Sequence, residues 1–291
     1  MAIPRIQSYP LPVANDYPKN KVSWSLEPKK AALLIHDMQE YFVGFYGEKS
    51  PLMQAVIDNI VRLKAFAKAN GIPVYYTAQP AEQDPADRAL LNDMWGPGLT
   101  RFPAEQPVVA ALAPDGDDIV LTKWRYSAFH RSDLEEQLKQ RGRNQLIICG
   151  VYAHIGVMIS AADAFMRDIK PFLIGDAIAD FSYDEHVMAL SYVAGRCGRV
   201  TTTEMITSTS MQDPNLTSYD AFKMHIVSLL DEADDEFDAD DSLLDYGLDS
   251  VQVMQLINKW NKAGLEVSFV ELAKNPSVNG WWKLVSERLA A

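Results

Sequence analysis

Six short apolar runs, most of them separated by a stretch with helical periodicity, fill the first two hundred residues, and then the pattern stops. The runs are Ala31–His36, Ile72–Ala78, Asp118–Thr122, Gln145–Val151, Pro171–Asp176 and Arg199–Thr203. The helical stretches are Met53–Asn70, Asp133–Arg141, Gly156–Ile169 and Asp184–Arg196, punctuated by Gly71-Ile72-Pro73, Gly142, Pro171 and Gly198. Strands alternating with helices are joined by crossovers, so they lie parallel with helices on both faces. The expected fold class is α/β, a three-layer Rossmann-like parallel sheet over residues 1–207. Ser208–Ser218 is polar and reads as a linker. Beyond it come helical patterns without strands: Tyr219–Asp231, Ser250–Lys262, a short Val267–Lys274, and Ser277–Leu289. Residues 219–291 therefore read as a small all-α four-helix domain, too small for a roomy catalytic cavity.

The 291-residue length suits one large domain plus a small one. The net charge of -12 argues against nucleic acid or an anionic membrane as partner. Residues 213–291 hold 15 acids and 6 bases, a balance of -9, so basic docking surfaces on other proteins are expected. Cys149 and Cys197 make neither a disulfide framework nor a zinc cluster. Neither a signal-peptide pattern at the N-terminus nor a bilayer-spanning run is visible, and a cytoplasmic protein is expected.

Ligands of an open parallel sheet bind outside the carboxyl ends of its strands. The ends here read His36-Asp37, Ala78-Gln79, Thr122-Lys123 and Gly150-Val151-Tyr152. Any one polar residue in such a loop is unremarkable; an acid and an ammonium following two apolar strands point to a site. In the helical domain, the acidic loop Asp238, Asp240, Asp241, Asp245 runs into Gly247, Asp249 and Ser250, where an amphipathic helix begins. Asp249 and Ser250 both suit a helix N-terminus, so an ordinary cap is the plain reading of that pair.

Longer motifs change these readings. Leu33-Leu-Ile-His-Asp-Met-Gln-Glu-Tyr-Phe, Lys123-Trp-Arg-Tyr-Ser-Ala-Phe and Gly150-Val-Tyr-Ala-His-Ile-Gly-Val resemble the three signature blocks of the isochorismatase-like hydrolases. Asp241-Ser-Leu-Leu-Asp-Tyr-Gly-Leu-Asp-Ser-Val resembles the modification site of acyl and peptidyl carrier proteins, whose serine receives 4'-phosphopantetheine. The whole chain is similar to the bifunctional isochorismatase/aryl carrier proteins of catechol siderophore assembly, of enterobactin or vibriobactin type. The resemblance implies hydrolysis of isochorismate by Asp37 and Lys123, with Gln79 and Arg88 holding substrate polar groups. Trp95 reads as an apolar wall of the substrate site or a loop anchor, and Tyr152 and Gly156 lie where the fourth strand enters its helix, placing backbone N–H groups for an anion of the substrate. It implies phosphopantetheine on Ser250, a phosphopantetheinyl transferase, a 2,3-dihydroxybenzoate-adenylating enzyme and a condensation domain as partners, and a homo-oligomer, expected to be a dimer. The family often has a non-proline cis peptide at the bond matching Val151–Tyr152. His36 and His154 read as structural.

The family's amidase members place a nucleophilic cysteine after the fourth strand, where this chain has Gly156. No metal is expected, because the His-containing pattern after the second strand is missing from Gln79-Pro-Ala-Glu-Gln-Asp. Proton transfer remains, with Asp37 as candidate acid. Its pKa would have to rise from about 3.9 by roughly 3 units, costing about 4 kcal/mol. Burial and the substrate carboxylates push that way; a cationic Lys123 pushes the other. Asp249, Val251, Met254, Phe269 and Ala273 are candidates for the carrier's docking surface, although apolar residues at helical spacing are usually core. Two alternatives stand beside this reading: a carrier with an inactive hydrolase domain, which intact Asp37, Lys123, Gln79 and Arg88 argue against, and a hydrolase of 2-amino-2-deoxyisochorismate, which the attached carrier module argues against.

Overall fold

A computed structural model describes residues 3–208, 214–216, 218–230, 237–262, 265 and 267–290. The chain divides into two compact units, Met1–Thr207 and Ser208–Ala291. Most of the expected linker (residues 209–213 and 217) and Asp231, the last residue of the first helical pattern beyond it, lie outside the described residues.

The first unit is built on strands β1 (Ala31–His36), β2 (Val74–Ala78), β3 (Ile119–Thr122), β4 (Gln145–Val151), β5 (Lys170–Ala179) and β6 (Arg199–Thr201). Their order is β3-β2-β1-β4-β5-β6, with every pair parallel. The longer helices are α1 (Pro51–Ala69), α2 (Leu134–Gln140), α3 (Met158–Met166) and α4 (Tyr183–Arg196). β1 is buried along its whole length. Its alternate side chains feed separate cores: Leu33 and Ile35 meet Val56, Ile60 and Leu63 of α1, and Leu34 joins Leu138, Ala161 and Leu190 on the other face. α1 starts where the Ser50 hydroxyl accepts from the Met53 N–H and Pro51 takes the first helical position.

The apolar runs of β1 and β4 match their strands to the residue. β5 does not. Its run stops at Asp176, whereas the strand continues to Ala179, because the β4–β5 register jumps between Ile148 and Gly150. The residues passed over include Gly175 and Asp176, and the Asp176 carboxylate leaves the ladder to accept from the Thr203 N–H and hydroxyl. The fourth crossover also differs from a plain helix starting at Gly156. A wide turn, Ala153–Val157, precedes α3, with Val157 N–H reaching back to the Tyr152 carbonyl.

The second unit has α5 (Tyr219–Val227), α6 (Ser250–Lys262), α7 (Phe269–Ala273) and α8 (Val278–Ala290). Val253, Leu256, Ile257 and Trp260 bury one face of α6 at helical spacing, against Phe222, Trp281 and Val285. Among the described residues, no helix is long and apolar enough to cross a membrane.

Candidate active site and carrier serine

The order of the sheet reverses between β1 and β4, so the loops leaving those strands diverge and open a cleft at the carboxyl edge. Asp37 follows β1 with φ 51°, in the left-handed region that aspartate tolerates better than most residues. Lys123 follows β3. The two meet at 2.9 Å, Nζ to Oδ2, and both are buried. Register explains the third member: Thr77 pairs with His36 across β1–β2, which sets its hydroxyl beside Asp37. That hydroxyl donates to Asp37 Oδ1 at 2.6 Å and accepts from the Asp37 N–H at 3.0 Å.

Burial pushes the Asp37 carboxyl up, but His36, the Lys123 ammonium and the Thr77 hydrogen bond together outweigh it and hold the group below the usual carboxylate range. The rise that Asp37 would need in order to act as an acid is therefore not produced by its own neighbours. Asp37 is a carboxylate paired to Lys123, and the deciding partners are an ammonium and a hydroxyl within hydrogen-bond reach.

Gln79, Arg88, Trp95, Tyr152 and Gly156 line the same cleft as Asp37 and Lys123. The short helix Pro85–Arg88 carries Arg88 inward; its Nε donates to the Gly96 carbonyl at 2.7 Å and its NH1 reaches Gln83 Oε1 at 3.1 Å. Gly98 is what lets the guanidinium lie there: a Cβ at that position would sit 2.8 Å from Arg88 Cζ. Trp95 donates to the Tyr126 hydroxyl at 2.9 Å and meets Phe181 edge-on. The peptide between Val151 and Tyr152 is cis. The Tyr152 hydroxyl donates to the Phe42 carbonyl at 2.8 Å, so the phenol is a wall of the cleft, stacked edgewise on Phe181.

Several lining residues escaped the sequence reading. Ile3, Tyr41, Phe42, Arg125, Tyr126 and Phe181 all face the cleft. Arg125 and Tyr126 belong to the Lys123 block already singled out, and position in that block is the signal that would have found them. Gln39 acts from behind the wall. Fully buried, its amide accepts from the Gln79 N–H at 2.7 Å and donates to the Gln79 carbonyl at 2.9 Å and to that of Gln106. It thus adds a side-chain rung to the β1–β2 ladder and fixes where Gln79 stands.

Both histidines have partners that spacing did not reveal. His36 is buried with Nδ1 2.8 Å from the Val151 carbonyl. His154 donates its backbone N–H to Asp180 Oδ2 and shares a 2.6 Å bond between Nδ1 and Oδ1. Burial alone would lower the His154 pKa; the hydrogen bond and charge of Asp180 raise it instead. Cys149 and Cys197 are buried and neither lines the cleft.

In the second unit Asp249, not Ser250, caps α6. The Gln252 N–H donates to Asp249 Oδ1 at 2.7 Å, and the Asp249 N–H donates to Gln252 Oε1 at 2.8 Å. Ser250 follows as the first helical residue, exposed, with the capping already done by its neighbour. An exposed hydroxyl at that point fits a covalently attached group. Val251, Met254, Phe269 and Ala273 are all exposed, as is Val270, while the apolar residues at the alternate spacing form the core.

Residues 31–205 match the isochorismatase domain and residues 220–285 the phosphopantetheine attachment site. The chain belongs to the isochorismatase family. Its isochorismatase domain is followed by a carrier domain, and two relatives align across both. Enterobactin synthase component B of Escherichia coli K12 is 60% identical over 289 residues, covering 99% of this chain and 100% of that protein. The isochorismatase of Bacillus subtilis is 47% identical, covering 99% and 96%. Among solved structures, a cysteine hydrolase from Pseudomonas syringae superposes with a TM-score of 0.59 at 25% identity, over 65% of this chain and 95% of that one.

Proposed function

We propose that residues 1–207 hydrolyse the enolpyruvyl ether of isochorismate to 2,3-dihydro-2,3-dihydroxybenzoate and pyruvate, and that Ser250 carries 2,3-dihydroxybenzoate for non-ribosomal siderophore synthesis in the cytoplasm. One observation carries the first half. The cleft holds a buried Asp37–Lys123 pair and a buried arginine, yet its lining among the described residues includes no cysteine, serine or threonine. With no side-chain nucleophile of those types, the pair is suited to proton transfer and charge stabilisation rather than to a covalent intermediate.

Isochorismate brings two carboxylates. Arg88 supplies a fork for one of them, and Gln79 a polar contact beside it. Lys123 can turn from Asp37 to a substrate oxygen, and the arriving negative charge then raises the Asp37 pKa so that it takes up a proton. Protonated Asp37 delivers that proton to the terminal vinyl carbon. Water attacks the oxocarbenium ion and gives one proton back to the Asp37 carboxylate; the hemiketal then collapses, its hydroxyl proton passing to the ether oxygen, which leaves on the ring as a hydroxyl while pyruvate departs. Trp95, Phe181 and Tyr152 keep bulk water from the charged intermediate and strengthen the electrostatics inside.

For the carrier, the arm's thiol, when present, holds the aryl group as a thioester. The chain's own contribution is an exposed Ser250 hydroxyl on a helix start fixed by Asp249. A phosphopantetheinyl transferase, an aryl-adenylating enzyme and a condensation domain are the partners, meeting Asp249, Val251, Met254, Phe269 and Ala273; the chain assembles as a homodimer. Steady-state pyruvate release from isochorismate and from its 2-amino analogue tests the hydrolase reading. Preference for the amino compound, or no release from either, would overturn it.

A further inference from the structure

Gly156 lines the cleft, but the space beside its Cα is already taken. A Cβ there would lie 2.7 Å from His36 Nε2, closer still to Cε1, and 3.1 Å from the Tyr126 carbonyl oxygen. The imidazole cannot swing aside. It is fully buried at the end of β1, its Nδ1 is tied to the Val151 carbonyl at 2.8 Å, and Asp37 Oδ2 lies 3.5 Å from the same nitrogen. Burial lowers its pKa to about 4, so the ring is neutral and carries one N–H. Two carbonyl oxygens face the ring, Val151 at 2.8 Å and Tyr126 at 3.3 Å. The shorter contact takes the proton, which leaves Nε2 and Cε1 as bulk packed between Tyr126 and Gly156.

We propose that His36 is the specificity-determining residue of the cleft floor: its imidazole fills the volume that any side chain at position 156 would need, and so reserves that place for glycine beside Asp37 and Lys123. The chemical consequence is that no side-chain nucleophile can stand at 156 while His36 is present, on a fold that also serves a cysteine hydrolase. The inference rests on the hydrolase reading for its meaning, but its steric content does not. His36 works through Gly156, touching no substrate itself, and belongs with the positioning residues.

The test is a double-mutant cycle in the full chain between Gly156→Ala and His36→Asn. Asparagine carries its amide nitrogen as far from Cβ as Nδ1 is, so it keeps a donor for the Val151 carbonyl while removing Nε2 and Cε1. With His36 present, Gly156→Ala should lower the melting temperature of the hydrolase transition by about 5 °C or more, as overpacking does. It should also reduce kcat/KM for isochorismate by about 100-fold, measured well below that melting temperature. In the His36→Asn background the added methyl should cost less than about 2 °C and less than about threefold, the residue reflecting the Tyr126 carbonyl. A single variant that fails to fold while the double variant folds gives the same answer. Equal losses in both backgrounds, a Gly156→Ala protein like wild type, or a double variant that does not fold would overturn the proposal. Coupling in melting temperature without coupling in kcat/KM would also overturn it, since the role would then be structural only. If no protein, wild type included, releases pyruvate, the hydrolase reading fails while the thermal cycle still decides the wedge.

Discussion

Replacing Asp37 by Asn separates what the buried pair does for stability from what it does for turnover. Asparagine tolerates the φ of 51°, so the backbone is not newly strained. Charge is lost at a contact of 2.9 Å between two buried groups. At an effective dielectric of about 20, that attraction is on the order of 5 kcal/mol, and removing one partner of a buried pair typically costs about 3–5 kcal/mol because the other is left uncompensated. For a domain of this size each kcal/mol moves the melting temperature by about 2–4 °C, so the hydrolase transition should fall by roughly 6–20 °C. Turnover should fall by about 10²–10⁴-fold or more, since the proton donor is gone. Calorimetry of the full chain should show the carrier transition unmoved. Asp37→Asn with Lys123→Met should recover most of the lost stability, because the orphaned ammonium is removed, yet recover no pyruvate release in a lactate dehydrogenase-coupled assay. An Asp37→Asn protein turning over within tenfold of wild type would refute Asp37 as the acid.

Ser250→Ala should abolish the mass gain seen on incubation with coenzyme A and a phosphopantetheinyl transferase, with pyruvate release unchanged; Asp249→Ala should slow the gain by loosening the helix start. Gly98→Ala should raise KM for isochorismate several-fold by displacing the Arg88 guanidinium, and an unchanged KM would remove Arg88 from substrate binding. Burial lowers His36 and His186 to about 4 from 6.5, so the unfolded chain binds protons first as pH falls. Their stabilisation is complete above pH 6.5 and is lost progressively towards pH 4, by up to about 3 kcal/mol each. His154, held above its ordinary value, adds no slope in that window, because its contribution is already complete below 6.5. A hydrolase melting temperature that stays flat from pH 7 to 4.5 would contradict the burial of both rings.

The strand ends were legible because β1 and β4 are uninterrupted apolar runs stopped by polar residues, and a parallel sheet puts its site at those stops. α6 was legible too, since Val253, Leu256, Ile257 and Trp260 keep helical spacing behind a capping residue. What escaped are pairings between residues distant in sequence. Thr77 reaches Asp37 only through strand register, Gln39 reaches Gln79 and Gln106 through space, and Gly175-Asp176 reads as a strand end although the strand resumes beyond it. The state of Asp37 escaped for the same reason: two opposing influences were foreseeable, and only the approach of Lys123 to 2.9 Å and of Thr77 to 2.6 Å says which prevails.

The Gln39 amide stands in for a peptide group. A real peptide there would chain the Asp37 loop to the next residues of a strand, and the two edges of the cleft would share one rigid backbone. Borrowing a side chain instead leaves those loops covalently independent while keeping their spacing set to hydrogen-bond tolerance. The distance between the acid and the amide that greets the substrate is thereby under the control of one residue, adjustable by a methylene at position 39 without redrawing the sheet.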